Sequence, residues 1–253
     1  MVDEKIIYNS QTGVTYVLLN RDDILKCVKL SGDFSKYEQW GGSDTNRLDD
    51  RDNYGAGIWN TSKDKYKTER IGLFGEVAFS ILSGLPLDEE IRTGGNSWDF
   101  IAHVKKDITL DVKNTATFKE RPDKYGEFII KNSTWEHGLK KVYPLKAHGY
   151  FFTSNFVFLN DNNNNKFWDF NSKVTKIIMR MHGAISANKI ENNREERVGQ
   201  SPVKNAKWDN IYINDSELLR PSIFFNKIGL EVPSFLSYKD CINGLWKGLE
   251  IYV

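Results

Sequence analysis

Four residues in the first half of the chain have the types and spacing for chemistry on a charged ester. Asp111-Val112-Lys113 follows Asp99 by twelve residues, and Glu76, within Gly75-Glu76-Val77-Ala78-Phe79, precedes Asp111 by thirty-five. Three carboxylates and one ammonium suit metal-assisted hydrolysis of a phosphodiester. That reaction needs a water made nucleophilic, charge offset on the phosphoryl oxygens and a stabilised leaving oxygen. Carboxylates held on strands are the ligands that a hard ion such as Mg2+ selects, with Mn2+ its expected substitute. On this reading Asp99, Asp111 and the backbone carbonyl of Val112 bind the ion. Glu76 holds a second ion or orients a water, and Lys113 lowers the pKa of the attacking water and offsets phosphate charge.

These residues must be positioned by a helix and a hairpin. Between residues 67 and 85, Ile71, Phe74, Ala78, Ile81 and Leu82 recur at three- and four-residue steps, which predicts a helix with one core-facing stripe, ended by Gly84 and Pro86. Glu76 falls on another stripe. Gly72 and Gly75 each lower helix propensity by roughly 1 kcal/mol relative to Ala, and close approach of another backbone near Glu76 is the expected compensation. Next, Trp98, Phe100, Ala102 and Val104 alternate with polar or exposed positions, and Ile108, Leu110 and Val112 resume the pattern, which predicts a hairpin. A loop over residues 105–107 pairs Val104 with Ile108, setting Asp99 opposite Lys113 and Ile101 opposite Asp111, so that Asp99, Asp111 and Lys113 share one face.

Upstream, Ile6-Ile7-Tyr8 and residues 14–19 read as strands and residues 23–28 as a short helix. Residues 31–64 read as a long polar loop carrying Trp40, Tyr54 and Trp59. Downstream, residues 127–131 read as a third strand, followed by a helix from about Ser133 with Trp135, Leu139 and Val142 on one side. Residues 150–159 are too uniformly apolar for an exposed strand and suit a central one. The Asn-rich run 161–166 is a turn, residues 172–187 read as a helix and residues 191–197 as a charged loop. The segments are therefore an N-terminal accessory segment, 1–66, a core, 67–160, and a C-terminal accessory subdomain, 161–253, together one compact unit.

The order of elements, with Glu76, Asp99 and Asp111-Val112-Lys113 upon them, resembles the PD-(D/E)xK nuclease superfamily over residues 67–160. Trp98 stands where that family often has Pro, and no Gln motif of the RecB-like exonucleases follows. The resemblance implies an α/β restriction-endonuclease-like core: a mixed sheet flanked by helices, a Mg2+ site on the Asp-bearing hairpin and a supporting Glu on the first helix. It further implies a DNA endonuclease of the restriction, defence or phage DNA-processing kind, often a homodimer because two strands are cut. Two other readings fit the same residues: a noncatalytic DNA-binding or assembly protein that keeps the fold, and a junction-selective or RNA-directed nuclease.

Composition limits the alternatives. The chain has 253 residues, 40% hydrophobic, with 35 Lys and Arg against 34 Asp and Glu, a formal charge of +1. It is long and apolar enough for a substantial core, and its balance of charge neither favours nor excludes a polyanion. The basic residues Lys119, Arg121, Lys124, Lys140 and Lys141 flank the four-residue set and are candidate phosphate contacts. Cys27 and Cys241 lack any zinc or disulfide spacing and read as buried thiols. His103, His137 and His148 read as structural residues and His182 as a helix-surface residue; no Ser/His/Asp nucleophile set stands out. The absence of a Walker loop argues against a nucleotide cofactor. No apolar run approaches a membrane span and no apolar leader follows Met1, so the expected location is the cytoplasm of a bacterial or phage-infected cell.

Overall fold

The computed structural model describes residues 5–9, 13–36, 67–89, 98–104, 106–115, 127–161, 166–167, 173–200, 208–231 and 236–237. The early strands form as their apolar runs predict: β1 (Ile6–Asn9) and β2 (Val14–Leu19) pair antiparallel, and all six residues of β2 are buried. Asn20 then caps α1 (Arg21–Lys36), its side-chain oxygen accepting from the amides of Asp22 and Asp23. This helix is longer than the 23–28 expected. It takes in residues 31–36, read from sequence as loop, and its buried face runs through Ile24, Cys27, Leu30 and Ser31. Residues 37–66, with Trp40, Tyr54, Trp59 and Tyr66, lie outside the described residues.

The expected helix is α2 (Lys67–Ser83), and it lays Phe74, Ala78, Phe79 and Leu82 on the sheet. Phe79 is its anchor, with ring centroids 4.8 Å from Phe100, 4.7 Å from Phe151 and 6.0 Å from Phe225. Truncating an aromatic so enclosed costs about 3–5 kcal/mol.

The hairpin is β3 (Phe100–His103) with β4 (Asp107–Thr115). Its register differs from expectation by two residues: Phe100 pairs Leu110, Ala102 pairs Ile108 and His103 pairs Asp107. The strands therefore part after His103 and Asp107, which are joined by a His103 Nδ1 to Asp107 Oδ1 contact of 2.9 Å. A slip of two preserves parity, so every side chain keeps its expected face. What changes is the neighbour: the amide of Asp99 donates to the carbonyl of Leu110, one step from Asp111 rather than beside Lys113.

β5 (Glu127–Glu136) begins where the third strand was expected, but no helix follows. It runs on, turns at His137 and Gly138, both at positive φ (51° and 82°), and returns as β6 (Leu139–Val142). A two-residue turn of that kind matches strand twist and makes a hairpin the favoured form. β7 (Gly149–Leu159) is the expected central strand, and β8 (Lys166–Phe167) pairs with its end.

Residues 172–187 are also not a helix. Lys176–Ser186 is β9, with Ile177, Ile178, Met179, Met181, Ala184 and Ile185 buried on its two faces. The expected charged loop at 191–197 is instead largely helical, in α3 (Ala187–Asn192) and α4 (Arg194–Arg197). The chain continues through β10 (Val198–Gln200), β11 (Trp208–Asn214), a 3-10 turn (Asp215–Glu217), α5 (Pro221–Ile228) and β12 (Leu236–Ser237).

The result is a mixed α/β fold. One eight-stranded sheet has the order β12-β1-β2-β9-β7-β4-β3 with β8 beside β7, parallel at β1/β12 and β4/β7; a second has the order β10-β11-β5-β6. Side chains of α1, α2 and α5 cover one face of the large sheet around Phe79, Phe151 and Phe225. On the other face Phe128, Ile130, Ile211 and Ile213 of the second sheet pack with Tyr150, Phe152 and Ile185. The large sheet ignores the segment boundaries read from sequence: β1 and β2 come from 1–66, and β9 and β12 from 161–253.

Candidate active site

The four residues singled out from sequence lie around the middle of β4, with Asp99 reaching across from just before β3 and Glu76 coming from α2. Asp111 and Lys113 are alternate residues of β4, aligned in the parallel pairing with Tyr150 and Phe152 of β7. Their apolar neighbours Leu110 and Val112 point into the helix-covered core. Lys113 Nζ lies 2.6 Å from Asp111 Oδ1, and the Asp111 side chain is 16% exposed against 41% for that of Lys113. Asp99 bends across the hairpin, its Oδ2 accepting the Val112 amide at 2.6 Å.

Glu76 arrives from α2 because the helix sits very low on the sheet. Asn114 donates from Nδ2 to the Ile71 carbonyl at 2.6 Å and accepts at Oδ1 from Thr153 Oγ1 at 2.9 Å. Gly75 rests on this pair, and a Cβ there would lie 2.6 Å from Thr153 Oγ1 and 2.7 Å from Asn114 Cβ. A close approach does occur at Gly75, but it is made by the Thr153 and Asn114 side chains where another backbone was expected. Gly72 shows no comparable approach, with nothing nearer its Cβ position than Glu76 Oε1 at 3.9 Å.

The electrostatics follow from crowding of like charge. Burial pushes the Glu76 carboxyl up to about 7; Lys113 opposes that rise, while Asp111 and Asp88 add to it. Asp99 is also held well above the usual carboxylate range, by burial first and then by Glu76 and Asp111, against the pull of Lys113 and the Val112 amide. Burial disfavours the Lys113 ammonium, yet Asp111 and Asp99 outweigh it and raise its pKa. Three ionised carboxylates and one ammonium would sum to −2, a deficit that a divalent cation would neutralise.

Mg2+ takes one or two carboxylates, a carbonyl and otherwise water or phosphate oxygens. Asp99, Asp111 and the Val112 carbonyl would supply that set, with Glu76 beside them. Among the described residues no three His, Cys, Asp or Glu side chains converge as a ready-made metal cage. Asp99 and Asp111 each engage one oxygen within the protein, with Val112 and Lys113 respectively.

Of the basic candidates, Lys140 and Lys141 lie on β6 at the edge of the second sheet, and Lys140 Nζ contacts Asp209 Oδ2 at 2.6 Å. Lys119, Arg121 and Lys124 lie outside the described residues, as does Cys241; Cys27 is a buried free thiol, as expected. His103 is exposed at the hairpin tip, and His148 Nδ1 accepts the Thr109 amide.

Three neighbours of the site escaped the sequence reading. Tyr150 stands beside Asp111, its phenol raised by burial and then by the Asp111 charge, and its hydroxyl accepts the Lys146 amide at 3.1 Å. Asp88 adds charge next to Glu76. Neither carries a local signal, since each depends on which distant strand or turn lies alongside. The third is His182, expected on a helix surface but buried on β9 at 1% exposure. Its Nε2 lies 2.9 Å from Ser154 Oγ and its Nδ1 2.9 Å from Asp215 Oδ1. This Ser/His/Asp alignment was invisible in sequence because its members come from β7, β9 and the 3-10 turn. Ser154 is itself 3% exposed, so the set ties β7 and β9 to the turn after β11 and offers no nucleophile to a substrate.

No helix among the described residues is long and apolar enough to cross a membrane. Compared with family models, curated proteins and solved structures, the chain matches none.

Proposed function

We propose that the chain is a Mg2+-dependent deoxyribonuclease with a PD-(D/E)xK-type site on a restriction-endonuclease-like core, acting as an endonuclease. The observation that carries this reading is that Glu76 of α2, Asp99 just before β3, and Asp111 and Lys113 of β4 lie close enough for each charge to act on the others. Clustering three carboxylates with a single ammonium is costly in the absence of a cation, and a fold that needed only stability would gain by replacing them.

Asp99 and Asp111 would hold the ion together with the Val112 carbonyl, and the ion supplies Lewis acidity toward the phosphoryl oxygens. The remaining work belongs to side chains. Lys113, 41% exposed and tethered to Asp111, can swing its ammonium toward a phosphate or an attacking water and favour the deprotonated nucleophile. Glu76, with its carboxyl near 7, is poised to accept a proton from water near neutrality. The Asp99 contact with the Val112 amide fixes β4, the strand that carries Asp111 and Lys113.

The test is incubation of the purified protein with supercoiled plasmid, linear duplex and single-stranded DNA in Mg2+, Mn2+ or EDTA, beside Asp111→Ala and Lys113→Ala. Metal-dependent cutting lost in both variants is the expected result, and the fragment pattern separates nicking, double-strand cutting and exonuclease action. A fully active Asp111→Ala protein overturns the assignment. A protein that binds DNA, cuts none of the substrates and is unaffected by the substitutions is instead the noncatalytic binding module. RNA or junction substrates cut in preference to duplex would redirect the substrate class while keeping the site.

A further inference from the structure

Among the described residues, six large apolar side chains are exposed: Leu25, Ile129, Trp135, Leu139, Val142 and Ile223. Three of these, Trp135, Leu139 and Val142, sit on the few residues that form the β5–β6 hairpin, and Ile129 lies farther along β5. All four residues of β6 are exposed, Leu139 at 75%. A strand whose residues are all exposed adds little to a core, and at its root the hairpin is already held by β11, which pairs with β5 through Ser133 and Thr134. The turn at His137 and Gly138 nonetheless keeps it regular. Such an element is built for contact.

Charge points to the kind of contact. Residues 131–146 carry Lys131, Lys140, Lys141 and Lys146 against Glu136 alone. Trp135 pairs with Lys140 and Thr134 with Lys141, so successive residues Lys140 and Lys141 project from opposite faces of the ribbon. Trp135 shares the face of Lys140, and Leu139 that of Lys141. The major groove of B-DNA admits a two-stranded ribbon and presents a phosphate wall on each side. The ribbon's root also leads to the candidate site: the segment after Val142 enters β7 at Gly149, and Tyr150 lies alongside Asp111.

We infer that the β5–β6 hairpin is the duplex-gripping element of this protein, entering a groove with Trp135 and Lys140 toward one wall and Leu139 and Lys141 toward the other, the apolar pair against sugars and the lysines on phosphates. The inference deepens the nuclease reading and rests on it. Lys140 exchanges its Asp209 partner for phosphate on binding. A second copy of the chain is the disfavoured occupant, because lysines on an edge strand oppose edge-to-edge pairing.

The experiment measures fluorescence anisotropy of a labelled duplex with the full chain in EDTA across a salt series, for wild type, Trp135→Ala/Leu139→Ser, Lys141→Ala and Asp111→Ala, with single-stranded DNA as competitor. The double variant is expected to bind roughly tenfold or more weakly at an unchanged thermal midpoint. Lys141→Ala is expected to lower the salt slope by about 1. Lys141 is exposed, so that arm stands even where the double variant fails to fold. Unchanged duplex affinity and slope in Lys141→Ala overturn the inference, as does single-stranded DNA competing equally with duplex. A hairpin-dependent change in oligomeric state with duplex binding intact also overturns it, and assigns the ribbon to an interface between copies. The two readings separate cleanly. Hairpin-dependent duplex binding with no metal-dependent cutting supports the ribbon and removes the nuclease; Asp111-dependent cutting with hairpin variants that bind and cut as wild type does the reverse.

Discussion

Gly75 on α2 and Thr153 on β7 stand so close that a methyl group on the glycine would lie 2.6 Å from the threonine Oγ1. The contact sets the height of the helix over the sheet, and with it the reach of Glu76. Gly75→Ala gains roughly 1 kcal/mol of helix propensity and loses about 1–3 kcal/mol to overpacking. The expected outcome is a lower thermal midpoint together with a loss of metal-dependent cleavage larger than the stability change explains. Gly72→Ala is the control, since space is open there, and is expected to be neutral or stabilising. Equal behaviour of the two variants in thermal melts would show that the helix is not seated on Thr153 and Asn114.

Asp99 has a structural and a proposed chemical role, and two substitutions separate them. Asp99→Asn keeps an oxygen for the Val112 amide and is expected to fold with nearly wild-type stability while losing cleavage. Asp99→Ala leaves that amide without its partner and is expected to cost a further 1–3 kcal/mol, roughly. Chemical denaturation compares them, and an Asp99→Asn protein as unstable as Asp99→Ala would show that the charge, not the hydrogen bond, holds the hairpin.

Glu76 links stability to pH in an unusual direction. Its carboxyl is pushed from 4.5 to about 7 in the folded chain, so between those values the folded state keeps a proton that the unfolded state has released. Stability from this group therefore falls as pH rises through that window, by on the order of 3 kcal/mol in total, is unaffected below it and changes no further above it. Without metal, Glu76→Gln is expected to raise the melting temperature at about pH 8 and to leave it unchanged at about pH 4. Added Mg2+ is expected to stabilise wild type more at the higher pH, because binding competes with protons. A metal-free protein whose Glu76→Gln variant melts identically to wild type at high pH would contradict the crowding of charge at the site.

His182 acts in the opposite sense. Burial lowers its pKa below 6.5, although the Asp215 hydrogen bond pulls it upward. Below 6.5 the unfolded chain takes up a proton that the folded chain refuses, so stability from this group is present above that value and is lost as pH falls. Imidazole resonances followed by NMR are expected to give His182 a midpoint below 6.5. A midpoint at or above 6.5 would show that Ser154 and Asp215 do not hold a neutral ring.

What could be read from the sequence divides along physical lines. α2, the alternating hairpin and the doubly buried β7 each carry a periodicity that one conformation satisfies, and strand parity puts Asp99, Asp111 and Lys113 on one face, while Glu76 comes from α2. Parity does not fix register, which is why Asp99 reaches Val112 instead of facing Lys113. β9 was read as a helix because a strand buried on both faces has the continuous apolar composition of a buried helix. The stripe of Trp135, Leu139 and Val142 has helical spacing, yet those residues are exposed on a hairpin and the spacing reports no core at all. Tyr150, Asp88 and the Ser154, His182 and Asp215 set depend on long-range neighbours and leave no local trace.

The place of β9 between β2 and β7 has a consequence for how the molecule is made. During translation β1, β2 and the strands carrying Asp99, Asp111 and Lys113 all leave the ribosome before Lys176 does. Until β9 arrives, β2 and β7 each present an open edge to other chains, and the two halves of the large sheet are joined only by connecting chain. The nascent protein therefore has a late closing step with long sequence separation, which slows folding and exposes edges to aggregation. Fragments ending before β9 should need a chaperone, or a synthetic peptide spanning residues 176–186, to remain in solution.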